Sequence, residues 1–216
     1  MFNTDASKKL SSKKIAILAT DGFEQSELME PKKALEAAGA RTVIVSLKNG
    51  DIKGWKDQAW SDSIAVDVTV DSVTAAEFDG LVLPGGVMNP DALRKEKAVV
   101  EFVRGFVEAG KPIGAICHGP WTLIETGMVR GKTLTSWPSL KTDLENAGAQ
   151  WVDEEVVVDQ GLVTSRKPDD LPAFNQKLIE EFSEGRSTGL TSDQSRFAAA
   201  GTPEQMGTID PGFAAI

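Results

Sequence analysis

The chain has 216 residues, 41% of them hydrophobic, which is enough for one substantial core and short for two independent ones. Its 32 acidic against 23 basic residues leave a net charge of -9, so phosphate backbones and anionic lipid are repelled, and no stable nucleic-acid complex or membrane association is expected. A single cysteine excludes an intrachain disulfide, fits a reducing, cytoplasmic setting, and leaves a free thiol to be explained.

Residues 1–13 read as a polar extension without the apolar run of a signal peptide, and no later run approaches the roughly 20 apolar residues of a membrane span. Ile15–Ala19 is a short unbroken apolar run, the pattern of a parallel strand covered on both faces. From Ser26 to Ala38, Leu28, Leu35 and Ala38 recur at near-helical spacing, Gly39 ends the helix, and Pro31 must sit in its first turn or kink it. A strand over Thr42–Leu47 completes a β-α-β unit and begins a doubly wound sheet. Asn49-Gly50 marks a turn, and the alternation from Ala65 to Val70 predicts a half-exposed strand in an antiparallel excursion.

Leu81-Val82-Leu83 is a buried strand halted by Pro84-Gly85-Gly86, and Val99, Val103, Phe106 and Val107 align on one face of a helix over 96–109. Pro112–Ile116 is a strand running straight into Cys117-His118-Gly119-Pro120, with helical sequence beyond. Thr133–Trp137 reads as a strand, Leu140–Ala147 as a helix, and Val156–Val158 with Leu162–Thr164 as a hairpin about Asp159-Gln160-Gly161. A last helix covers Leu171–Phe182. Residues 183–216, rich in Gly, Ser, Thr, Ala and Pro, form a tail after a domain spanning 14–182.

A nucleophile between a strand and a helix sits on a tight turn that aims its side chain into the crevice above the sheet, the ligand site of open α/β folds. The helix N-terminus and nearby donors there favour thiolate over thiol. The competing reading of Cys117 is a small core hydrophobe. Gly85 and Gly86, with the N–H of His118, supply candidate oxyanion donors, and Glu24, after the first strand, is placed to share a proton with the sulfur. A solvated carboxylate at the helix start is the other reading of Glu24. His118 is the sole histidine, so any imidazole chemistry falls to it, with packing as the alternative. One histidine also rules out a glutaminase-type Cys-His-Glu set, whose histidine lies far downstream, and one His with one Cys supplies metal catalysis poorly; no cofactor is implied. Core packing is the expected role of Trp121 and Trp137.

Phe23-Glu24-Gln25-Ser26-Glu27-Leu28, Leu83-Pro84-Gly85-Gly86, Ala115–Pro120 and Glu155–Asp159 with Thr164-Ser165-Arg166 resemble, in this order and at similar spacing, the PfpI branch of the ThiJ/PfpI superfamily from about Lys14 to Phe182. The resemblance implies a flavodoxin-like three-layer sandwich, of the class I glutamine amidotransferase kind, with a mostly parallel sheet and a nucleophile elbow. It implies a Cys117 nucleophile, Glu24 sharing its proton, His118 beside it, and Asp91 orienting His118 from a neighbouring subunit of a homo-oligomer, dimer or hexamer. The chemistry implied is stress-related deglycase or glyoxalase action on methylglyoxal or glyoxal adducts, with small carbonyl compounds and glycated proteins or peptides as substrates. Intracellular peptidase activity and a redox-sensing chaperone role are the alternatives.

Overall fold

The computed structural model describes residues 9–185. A seven-stranded sheet forms its centre, built from β1 (Lys14–Leu18), β3 (Arg41–Ser46), β6 (Val68–Thr69), β7 (Gly80–Leu83), β8 (Ile113–Ile116), β11 (Val156–Asp159) and β12 (Leu162–Ser165). Their order is β11-β12-β8-β7-β1-β3-β6, and every pairing is parallel except β11 with β12. Ala16 and Leu18 of β1 point into one core, Ile15 and Ile17 into the other, which is why the strand reads as an unbroken apolar run. The first core is closed by α3 (Lys97–Glu108), through Val99, Phe102 and Phe106, with α4 (Pro120–Ile124) and α5 (Lys141–Asn146) adding Leu123 and Leu144. The second is closed by α1 (Gln25–Ala37) and α6 (Leu171–Glu184), through Leu28, Leu35, Phe174, Leu178 and Phe182.

Two small sheets flank this frame: β2 (Phe23–Glu24) with β4 (Asp51–Lys56) and β5 (Ala59–Ala65), and β9 (Thr133–Leu134) with β10 (Gln150–Trp151). The antiparallel excursion is the β4-β5 hairpin, turned at Asp57 and Gln58, both left-handed with φ of 48° and 63°. The strand expected over Ala65–Val70 is broken: Asp67 uses its carboxylate to accept the Ile44 N–H at 2.7 Å, so only Val68–Thr69 joins the main sheet. The strand expected over Thr133–Trp137 stops at Leu134, because the Thr135 N–H goes to Thr164 Oγ1 and that of Trp137 to the Cys117 carbonyl. Pro31 lies inside α1 rather than in its first turn, buried on the core side. A short helix after the glycine turn, α2 (Met88–Arg94), was not anticipated. At the hairpin, Gln160 and Gly161 take φ of 53° and 84°, the double left-handed turn that suits a two-residue connection. Helix α6 runs to Glu184 before Gly185; residues 1–8 of the extension and 186–216 of the tail lie outside the described residues. Among the described residues no helix is long and apolar enough to cross a membrane.

Candidate active site

Strand β8 ends at Ile116, and the chain turns sharply into α4. Cys117 carries the turn with φ of 61°, a left-handed conformation that costs a non-glycine residue about 1 to 2 kcal/mol. Three backbone hydrogen bonds hold it there. The Cys117 N–H donates to the Ser165 carbonyl at 3.0 Å, its carbonyl accepts the Trp137 N–H at 2.9 Å, and the Gly119 N–H closes on Ile116 at 2.8 Å. The thiol is thereby presented at the base of a cleft of about 270 Å³ while remaining 7% exposed.

The carboxyl group interacting with this sulfur belongs to Glu27, not to Glu24. Glu27 is fully buried on the face of α1 that also carries Pro31 and Leu35, and its Oε2 accepts the Gly85 N–H at 2.9 Å. Burial, reinforced by the negative charge of Glu24, raises its pKa to about 8 despite the hydrogen bond from Gly85 and the nearby thiol, so it holds a proton at neutral pH. Burial and then the Glu27 carboxylate push the Cys117 thiol up, against the N–H groups of Gly86 and His118, which favour thiolate. Two negative charges are therefore resisted, and the pair retains at least one proton between sulfur and carboxyl. Glu24 instead caps α1 at the cleft mouth, accepts a hydrogen bond from Ser26 Oγ at 3.3 Å, and has its pKa raised by partial burial.

The Gly86 and His118 N–H groups face the sulfur and are the available oxyanion donors, whereas the Gly85 N–H is spent on Glu27. Gly85 is required for another reason: a Cβ there would lie 2.5 Å from Glu27 Oε2 and 2.7 Å from Cys117 Cβ. Gly86 has φ of 77°, and its Cβ would meet the Gly22 carbonyl at 2.4 Å. The turn is pinned by Asn89, fully buried, whose Nδ2 donates to the carbonyls of Pro84 and Gly85 while Oδ1 accepts the Thr20 N–H.

His118 Nδ1 stands 3.2 Å from Cys117 Sγ, and Nε2 lies 3.4 Å from Ser139 Oγ. Burial lowers its pKa, leaving a neutral imidazole. Asp91 sits on the exposed side of α2, and neither ring nitrogen has it as a described partner within the chain. Trp137 does more than fill the core: it is 40% exposed, stacks on His118 with centroids 6.2 Å apart, and lines the cleft. Trp121 packs against the core, presents its ring to His118 edge-on, and donates its indole N–H to Asp143. Glu27 was visible in the sequence, since it precedes Pro31 and Leu35 by one and two helical turns.

A strained cysteine at a strand-to-helix elbow, flanked by a buried carboxyl, an imidazole and oxyanion donors on an α/β sandwich, defines the class of cysteine-dependent α/β enzymes. Residues 13–181 match the DJ-1/PfpI family, and the chain belongs to that family. It is 48% identical over 170 residues to protein/nucleic acid deglycase 2 of Escherichia coli, covering 78% of this chain and 96% of that one. General stress protein 18 of Bacillus subtilis is 46% identical over 169 residues, covering 77% and 96%. The crystal structure of Drosophila melanogaster DJ-1beta superposes with a TM-score of 0.73 at 32% identity, over 80% of this chain and 91% of that one.

Proposed function

We propose that this protein is a stress-defence deglycase that hydrolyses methylglyoxal or glyoxal adducts of amines. The observation that carries the reading is the Cys117–Glu27 pair, in which burial favours the protonated form of both groups so that at least one proton stays between sulfur and carboxyl, beside the Gly86 and His118 N–H groups. An adduct of methylglyoxal with an amine carries a carbinol carbon next to a ketone. The pair moves a proton from the carbinol carbon to the ketone carbon through an enediol, leaving a lactoyl amide. The Cys117 thiolate then adds to the acyl carbon, and the two N–H groups hold the oxyanion. Collapse expels the amine with the Glu27 proton, and water, giving its proton back to Glu27, cleaves the lactoyl thioester to lactate and regenerates thiolate. The names of the Escherichia coli and Pyrococcus relatives, both deglycases, support this substrate class.

The same acyl steps, with His118, 3.2 Å from the sulfur, taking the thiol proton and passing it to the leaving amine, support peptidase action as a second reading. We place the protein in the cytoplasm, on its single unpaired cysteine, and as a homo-oligomer in which Asp91 of one copy approaches His118 of the next. The deciding experiment follows lactate and free amine from a methylglyoxal–amine adduct with wild type and Cys117→Ala at equal concentration. Turnover lost in the variant is expected. Equal release by both would overturn deglycation at Cys117, and cleavage of unstructured peptides without lactate formation would favour the peptidase.

A further inference from the structure

Glu24, displaced from the sulfur by Glu27, still lines the cleft, and its surroundings give it a different task. It pairs in register with Trp55 across β2 and β4, so a carboxylate and an indole stand side by side on one wall. Trp137, stacked on His118, is the other aromatic wall. The Glu24 side chain has no ion pair among the described residues; the nearby charges of Lys56 and Asp57 act on it in opposite directions. Among the described residues no lysine or arginine lines the cleft. Glu27 is fully buried and its Oε2 is engaged by the Gly85 N–H, which leaves Glu24 as the carboxyl group at the cleft mouth facing an entering ligand.

We propose that Glu24, Trp55 and Trp137 form a subsite at the cleft mouth for a guanidinium group, so that arginine-derived adducts are the preferred substrates. The proposal rests on the deglycase reading for its substrate, though not for its test. A guanidinium is planar and weakly hydrated; it stacks on indole faces and donates to a carboxylate with the same fork of N–H groups. It keeps its positive charge after one nitrogen has added to an aldehyde, whereas a thiol adduct is neutral there. A cleft of about 270 Å³ has room for the guanidine group and the three-carbon adduct, with the reacting carbon deep enough to meet Cys117.

The test measures how N-acetylarginine methylamide and its uncharged isostere N-acetylcitrulline methylamide slow alkylation of Cys117 by iodoacetamide. In wild type, half-protection by the arginine compound is expected at a concentration about tenfold lower than that of the citrulline compound. In Glu24→Gln the two concentrations converge; comparing two ligands within one variant cancels any change in thiol reactivity. Equal protection in wild type, or a preference that survives Glu24→Gln, would overturn the subsite. Lactate release from the methylglyoxal adduct of N-acetylarginine methylamide is followed in parallel. Its absence together with a retained arginine preference would remove the deglycase reading and leave the cation subsite standing.

Discussion

Glu27 is a carboxyl folded into a place where its charge is unwelcome, and that fact has a thermodynamic signature as well as a catalytic one. Its pKa rises from an ordinary 4.5 to about 8 on folding, so between those values the native state binds more protons than the unfolded state. The sign is then fixed: the stabilisation is complete below about pH 4.5, and it is lost as pH rises through about 8. Glu27→Gln, which keeps the shape and cannot ionise, is expected to flatten the decline in melting temperature across this window, read by thermal unfolding at closely spaced pH values. An unchanged slope would mean that Glu27 is not the group responsible. The same variant cannot relay a proton, so its kcat for adduct hydrolysis is expected to fall by about 10²- to 10⁴-fold, the range for loss of a positioned acid or base. The cysteine and the histidine were legible in the sequence because each occurs once, on a strand-to-helix turn. The carboxylate is harder to place from sequence because Glu24 and Glu27 are both acidic and close together, and only the helical phase set by Pro31 and Leu35 separates the buried one from the one at the helix start.

At the scale of elements, the site is assembled by loops whose geometry depends on a few buried polar side chains. Asn89 is the main fastener: on α2, it ties Thr20 after β1 to the Pro84-Gly85 turn after β7, through three hydrogen bonds of 2.8 to 3.1 Å. Removing the amide leaves one N–H and two carbonyls without it, and Asn89→Ala is expected to cost about 1 to 3 kcal/mol in urea unfolding. Because the Gly86 N–H moves with that turn, kcat should drop further than KM changes; a fall in stability with intact kcat would limit Asn89 to a structural role. None of this was readable beforehand. Helix α2 is short and contains Pro90, so its periodicity is too brief to register, and the β4-β5 turn uses Asp57 and Gln58 where a glycine would have announced it. The long amphipathic helices and the doubly covered strands were legible because their patterns repeat over enough residues to exclude other structures.

Across the whole molecule, the sheet order explains why the chemistry lies where it does. From β1 the chain winds outward to β3 on one side and returns to β7 and β8 on the other, so a crevice opens beyond the carboxyl ends of these strands. Glu24 and Glu27 follow β1, Gly86 follows β7 and Cys117 follows β8, each delivered to that crevice from a separate strand. Beside it, Val87 and Met88 are 56% and 40% exposed, an apolar shoulder at the start of the helix that carries Asp91. In the proposed homo-oligomer a second copy would cover this shoulder and bring its Asp91 toward His118, which lacks a described acidic partner within its own chain. Complementation tests this arrangement. If Asp91 acts across the interface, Cys117→Ala and Asp91→Ala proteins, each poorly active alone, are expected to regain activity once mixed and allowed to exchange subunits. The intact Asp91 of one chain then serves the intact Cys117 of the other. Mixtures that stay at the sum of their separate activities, although exchange is demonstrated with labelled subunits, would confine Asp91 to the surface of its own chain and leave His118 oriented by Ser139 and the two tryptophans alone.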